Sequence, residues 1–329
     1  MLLSRVADNL YWGARYLERA EDTARVVRAF TEVLLDLPVG VASSWEPLLA
    51  VAGSREAFEA GHARRAENDI VHFLVADSAN FGSVVASVAH ARENLRTTRE
   101  VLPREAWQTV NDLYLYTARD AESGVDRRSR ARFLGRVISE SQRLDGVISG
   151  TMQRDEAYEI WRLGQAVERA DMTTRVVGVR AAALLATTAA TVNTATSTAT
   201  TSTTTTSTAT DDFDEVQWMG MLRSLTALQM YQRATRGPIT GEGVVSFLLF
   251  DHEFPRSVAG CMQRIRSALS RLPRADRTLP ECDDVDALLS GLRADAGDGA
   301  ALDQAMDRVQ MALGRLSAAV YDTFVRAAE

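Results

Sequence analysis

From Leu3 to Val27 the residues Leu3, Val6, Leu10, Gly13, Leu17, Ala20, Ala24 and Val27 step by three or four. That is the period of an α-helix viewed from one side, and the stripe continues to about Leu35 before Pro38 and Gly40 stop it. A stripe this long demands a partner surface of similar length, because one helix cannot bury its own apolar face. Shorter stripes of the same period run through Val84, Val88, Ala91, Leu95 and Leu102 up to Pro103, and through Trp107, Val110, Leu113 and Tyr114. Another runs through Phe133, Val137, Ile138, Leu144 and Ile148. No segment alternates convincingly with the two-residue period of a half-buried strand. Only seven prolines and 20 glycines interrupt 329 residues, and 46% of the chain is hydrophobic, enough for a large core. The expected fold is all-α, with long antiparallel helices in a bundle.

The chain also repeats itself. YWGARYLERAEDTARVV, ending at Val27, is echoed by IWRLGQAVERADMTTRVV, ending at Val177. Glu18, Arg19, Glu21, Thr23 and Arg25 match Glu168, Arg169, Asp171, Thr173 and Arg175 at an offset of 150. A second pair, FLVADSANFGSVVASV from Phe73 and FLLFDHEFPRSVAGCM from Phe247, matches at an offset of 174. VLPRE at 101 and RLPRA at 271 keep the same order. The slip of 24 residues equals the length of the run 187–210, which is almost wholly threonine, alanine and serine. That run lacks the apolar mass to offset its ordering entropy and is expected to be a disordered insertion. The expected organisation is two duplicated halves about a pseudo-twofold axis, with a repeat boundary near 150 in a single integrated domain. Residues 1–186 hold the first half and the start of the second repeat, and 211–329 hold the remainder.

Charge composition excludes several functions. All 37 basic side chains are arginine, so Schiff-base and P-loop lysines are absent. A net charge of −7 and a pI near 5.3 argue against nucleic-acid binding. Two cysteines 21 residues apart, Cys261 and Cys282, form no CxxC pair and fit a reducing compartment. With no apolar run of membrane-spanning length and no signal-peptide pattern at MLLSRVADNLYW, a cytoplasmic protein with no membrane contact is expected.

The candidate site residues lie in the repeated element: Glu18, Arg19, Glu21, Arg25, Glu168, Arg169, Asp171 and Arg175, with Arg15, Asp22, Asp77 and Asp251 as weaker candidates. On a helical wheel Leu17, Ala20, Ala24 and Val27 form one face, with Glu18, Glu21 and Arg25 on its flank. Trp12, Arg19, Thr23 and Val26 lie opposite, so the helix is expected to be covered on more than one side. Glu18 and Arg19 would then sit in partly dry surroundings and need partners. One reading is structural: Glu21–Arg25 and Asp171–Arg175 as i,i+4 pairs, and Arg19 of one half on Glu168 of the other. The other has Glu18, Arg19, Glu168 and Arg169 converge on one cavity, where arginine would grip a carboxylate or phosphate and a carboxylate would take an amine.

No metal is expected, because dimetal bundles use Glu-x-x-His and the fourth position here is Glu21 or Asp171. No cofactor motif is present. Asp77, Asp251, Ser83 and Ser257 read as caps and turns, with an anion site at those helix starts as the alternative. Cys261 and the tryptophans Trp12, Trp107, Trp161 and Trp218 read as packing.

Together MLLSRVADNLYWGARYLERAEDTARV, FLVADSANFGSVVASVAHARENLR, EAWQTVNDLYLY and IWRLGQAVERADMTTRVV resemble the bacterial alpha-E family. This all-helical family is named for a glutamate-arginine motif, which maps here to Glu18-Arg19 and Glu168-Arg169, and is long classed as a domain of unknown function. The resemblance spans the chain apart from the threonine-rich run. It implies work beside, or fusion to, a circularly permuted ATP-grasp protein, with a transglutaminase-like peptidase and sometimes a proteasome-like peptidase. The leading expectation is a helical partner of such an amide-bond-forming or amide-bond-processing system, binding a partner, a peptide or an anionic small molecule through the Glu-Arg motif. Two alternatives stand beside it. One is an enzyme of amide or acyl transfer, with Glu18 or Glu168 as general base and Arg19 or Arg169 as anion clamp. The other is a scaffold without a pocket.

Overall fold

The computed structural model describes residues 2–36, 44–62, 64–197, 206–292 and 299–326. Those residues form α-helices joined by short turns, with no strand among them. In chain order the helices are α1 (Ser4–Asp36), α2 (Glu46–Val51), α3 (Arg55–Gly61), α4 (Glu67–Val75), α5 (Val84–Arg96), α6 (Arg104–Asp120) and α7 (Arg127–Thr151). They continue as α8 (Glu156–Ser197), α9 (Thr206–Ser224), α10 (Leu228–Thr235), α11 (Gly241–Phe250), α12 (Val258–Leu269), α13 (Leu279–Leu292) and α14 (Gly299–Phe324). The all-α expectation therefore holds.

The first stripe becomes α1. Leu10, Leu17, Ala20, Ala24 and Val27 are buried, and so are Tyr11, Thr23 and Val26 on other sides of the same helix. The cover comes from α5, α7, α8 and α9, which all pack on α1. The helix α8 packs likewise on α1, α12 and α14. These two helices form a centre on which α5, α7, α9, α12 and α14 are laid, with α6 and α13 packed on that layer.

The central pair differs from the antiparallel arrangement expected of it. Leu2 N donates to Glu156 Oε2 at 2.7 Å, Arg15 meets Glu168 at 2.7 Å and Arg169 meets Glu18 at 2.7 Å. Residue numbers rise together along both helices, so α1 and α8 run in the same direction. The intervening α2–α7 carry the chain back to its starting end, a return that a short helix–helix loop cannot make. Antiparallel pairing does occur between chain neighbours. Across α5 and the start of α6, Arg92 donates to Asn111 at 3.2 Å, while Arg99, further on, stacks over the earlier Trp107 at 4.9 Å.

Two helices begin alike. Ser83 Oγ caps α5 by accepting from Ala86 N at 3.1 Å, and Ser257 Oγ caps α12 by accepting from Gly260 N at 2.9 Å. Upstream, Asp77 Oδ1 accepts from Ala79 N and Asp251 Oδ1 from Glu253 N and Phe254 N, each at 2.8 Å. The cap role therefore falls to the serines, and the aspartates hold the preceding turns. The third echo diverges: Pro103 leads straight into α6, whereas Arg274 is left-handed at φ 62° and a 3-10 turn intervenes before α13. The stripe expected to reach Leu102 stops as a helix at Arg96, and Leu102 is buried from the turn beyond.

The threonine-rich run is described in part: α8 continues to Ser197 and α9 starts at Thr206, while 198–205 lie outside the described residues. Extending a helix that is already nucleated costs far less than starting one, and the alanines favour it. No described helix is long and apolar enough to cross a membrane.

Close approach of α1 and α8 depends on Gly164. A Cβ there would overlap the Tyr11 carbonyl oxygen and lie 3.2 Å from Ala14 Cβ. Gly164→Ala should therefore cost about 1–3 kcal/mol of stability by overpacking. Urea denaturation of the two proteins tests this, and a midpoint equal to the wild type would contradict it.

Candidate functional site

Because α1 and α8 run side by side in the same direction, their Glu-Arg elements meet. Arg169 forks onto Glu18, Nε to Oε1 at 2.7 Å and Nη2 to Oε2 at 2.8 Å. Reciprocally, Arg19 Nε donates to Glu168 Oε1 at 2.6 Å, and Arg15 Nε donates to Glu168 Oε2 at 2.7 Å. The i,i+4 pairs also form: Arg25 with Glu21, and Arg175 Nε with Asp171 Oδ2 at 2.9 Å. The ion pairs named in the structural reading, Arg19 on Glu168 among them, are present.

Around Glu18 the charges are sealed. Glu18, Glu21, Asp22, Arg25, Arg169 and Arg256 are all buried. Arg256, in the turn before α12, reaches Glu18 Oε1 at 3.0 Å, Glu21 Oε1 at 3.3 Å and Asp22 Oδ1 at 2.6 Å. Three guanidinium groups thus face three carboxyls that share one face of α1, since residues 21 and 22 are three and four positions from 18. Burial opposes the ionisation of Glu18, but Arg169 and Arg256 outweigh it and hold the carboxyl at about 2. For Glu21 burial and the adjacent Glu18 charge win, and the carboxyl is raised despite Arg256 and Arg25. Burial likewise pushes Asp22 up to about 7 against the pull of Arg256, and its Oδ2 has no hydrogen-bond partner among the described residues.

Around Glu168 the arrangement is open. Arg19, Glu168, Asp171 and Arg175 border a cavity of about 300 Å³ whose other walls include Asn80 and Gly82. Arg19 and Arg175 keep 22% and 30% of their side chains exposed, against 3% for Glu168. Burial disfavours the Glu168 carboxylate, but Arg19 and Arg15 hold it below its usual range. The Arg175 guanidinium lies directly over Gly53, whose φ of 61° and missing side chain both suit the position.

The expectation that Glu18, Arg19, Glu168 and Arg169 converge on one cavity needs correction: Arg19 and Glu168 line it, while Glu18 and Arg169 are closed off by Arg256. Asp77 and Asp251 belong to their turns. Cys261 is a buried free thiol that burial pushes up to about 12, as a packing role requires. Sequence reasoning missed Arg256 as a site residue and underweighted Asp22 and Arg15. The only signal was the polar step DHEFPR breaking an otherwise apolar FLLF run.

These features define an all-helical domain centred on a reciprocal pair of Glu-Arg elements. The chain belongs to the Alpha-E family, described as a predicted alpha-helical domain with a conserved ER motif, whose pattern matches residues 2–325. Uncharacterized proteins of Mycobacterium bovis and Mycobacterium tuberculosis are similar, at 24% identity over 291 residues, or 82% of this chain. The chain spans about 30% of the length of these relatives. No solved structure matches it.

The sealed cluster has a pH signature. Asp22 retains a proton in the folded state that the unfolded chain releases above its ordinary value of 3.8, so stability falls as pH rises from about 4 to about 7. Glu18 acts oppositely: its contribution is present above the ordinary value of 4.5 and is lost as pH falls towards about 2. Asp22→Asn, which cannot titrate, should gain stability relative to wild type as pH is raised from about 4 to about 7, with no further gain above. Denaturant midpoints of both proteins across that range check this, and a pH-independent difference would refute it.

Proposed function

We propose that this chain is a binding module built from two duplicated halves about a pseudo-twofold axis. It serves as the helical partner of an ATP-grasp amide ligase and a transglutaminase-like peptidase. The observation that carries the binding reading is the cavity beside Arg19, Glu168 and Arg175, which leaves charged groups accessible at the meeting point of the two elements. The duplication is supported by the matched caps at Ser83 and Ser257, the matched turns at Asp77 and Asp251, and the crossed Glu18–Arg169 and Glu168–Arg19 pairs.

The role beside an ATP-grasp protein rests on the family resemblance. It is in keeping with a chain that has no lysine and with relatives in which this region is about 30% of the length. A peptide is the class of ligand such a system handles, and the cavity offers both a guanidinium and a carboxylate to it.

The enzyme reading is weaker. A general base should have a pKa near the working pH, whereas the Arg169 and Arg256 guanidinium groups hold Glu18 at about 2 and those of Arg19 and Arg15 hold Glu168 low. The Glu18 cluster is assigned to structure, since its motif side chains are consumed by each other and by Arg256.

Affinity purification of the full chain from native cells, with mass spectrometry of what accompanies it, tests the proposal. An ATP-grasp or transglutaminase-like protein should be enriched over a control carrying the tag alone. Recovery of neither overturns the assignment.

A further inference from the structure

The two Glu-Arg elements share Glu-Arg-Ala, a threonine and Arg-Val-Val at matching positions; among the places where they and the turns facing them differ, three convert a closed cluster into an open one. At the offset of 150, Arg15 corresponds to Gln165 and Asp22 to Met172; at the offset of 174, Gly82 corresponds to Arg256. Beside Glu18 the guanidinium of Arg256 fills the space between α1 and the turn before α12, touching all three carboxyls. Beside Glu168 the same place in the turn before α5 is Gly82, which has no side chain to put there, and the cavity of about 300 Å³ occupies that side.

The charge changes with the shape. The closed cluster sets three carboxyl groups against Arg25, Arg169 and Arg256. In the open one Met172 stands where a carboxyl stood and Arg15 is added, so Glu168 and Asp171 face Arg15, Arg19 and Arg175. The balance tips towards positive. Donors are also left over: Arg19 and Arg175 each give only Nε to a carboxylate, and among the described residues no hydrogen bond runs from their terminal nitrogens. Asp171 uses Oδ2 for Arg175, and Oδ1 accepts no hydrogen bond among the described residues. Next to this wall, between Asn80 and Gly82, Phe81 is 52% exposed, with its ring 5.4 Å from Tyr16 and 4.3 Å from His90.

We propose that the cavity binds a carboxylate with an N–H group beside it, the end of a peptide or a free α-amino acid. Arg19 and Arg175 take the carboxylate, Asp171 takes the N–H, and Phe81 offers apolar surface to the side chain. Guanidinium groups hold planar carboxylates through paired N–H donors, and a cavity of this size encloses one residue. Asp171 in the same wall turns away a compact dianion such as phosphate. This inference deepens the peptide-binding part of the reading above and rests on it.

The test is calorimetric titration of the full chain at low salt with Gly-Phe, its C-terminal amide, free phenylalanine and inorganic phosphate. Gly-Phe or phenylalanine should bind, and whichever binds tighter identifies the ligand as peptide end or free amino acid. The amide should bind at least about tenfold more weakly than the acid. Arg175→Gln should weaken the acid by about tenfold or more. Gly82→Met should abolish binding by filling the space, with the melting temperature retained, because a Cβ at Gly82 meets only Asn80 Oδ1 at 3.6 Å. Equal binding of acid and amide, tighter binding of phosphate, unchanged affinity in Arg175→Gln with Gly82→Met still binding, or no heat from any carboxylate would each overturn the inference. Loss of this result with the ligase or peptidase still co-purifying leaves the partner reading standing, and the reverse outcome separates them the other way.

Discussion

The bidentate contact between Glu18 and Arg169 sets the geometry of the whole molecule. Both groups are buried in the pair of helices that forms its centre, and an unpaired charge there would be costly. Satisfying both requires residue 18 of α1 and residue 169 of α8 to stand at the same level. The crossed contact of Arg19 with Glu168 imposes the same register from the other side. Gly164 then permits the backbones to approach, and α5, α7, α9, α12 and α14 are laid onto two rods whose relative position is already determined.

Buried ion pairs are better suited to specifying an arrangement than to stabilising it, because desolvation offsets much of the attraction. The cluster around Glu18 illustrates the point. Burial, with the charge of the neighbouring Glu18 added to it, pushes Glu21 and Asp22 up even with Arg25 and Arg256 in contact. Such a cluster penalises any slip of α1 along α8, since a shift by one residue would bring Leu17 or Arg19 against Arg169 in place of the Glu18 carboxylate. The open side keeps the same register with fewer constraints and leaves Arg19 and Arg175 part-exposed. One interface therefore combines a lock with a recess, and the difference lies in a few side chains rather than in the backbone plan.

Much of this was legible from residues. The three-to-four spacing from Leu3 to Val27 became α1, and the matched YLERAEDTARVV and QAVERADMTTRVV segments became the two central helices. Arg19 on Glu168 followed from asking where a dry charge would find its opposite. Arg256 was not legible, because it lies in a turn 234 positions from Asp22, and only folding brings the two together. Gly82 was invisible for the opposite reason: its significance is a missing side chain, which matters only once Arg256 is seen at the equivalent place. The direction of α8 relative to α1 also escaped, since periodicity reports which face of a helix is buried but not which way its partner runs.

The sequence by itself determined the helical class, the recurrence of the Glu-Arg segment, the chemistry of its charged residues and the family to which they belong, because periodicity and residue type act locally. Tertiary structure decided that the Glu18 element is sealed and the Glu168 element opens on a cavity. That outcome depends on which turn supplies a guanidinium and which supplies only a glycine, and therefore on groups far apart in the chain meeting at one point in space.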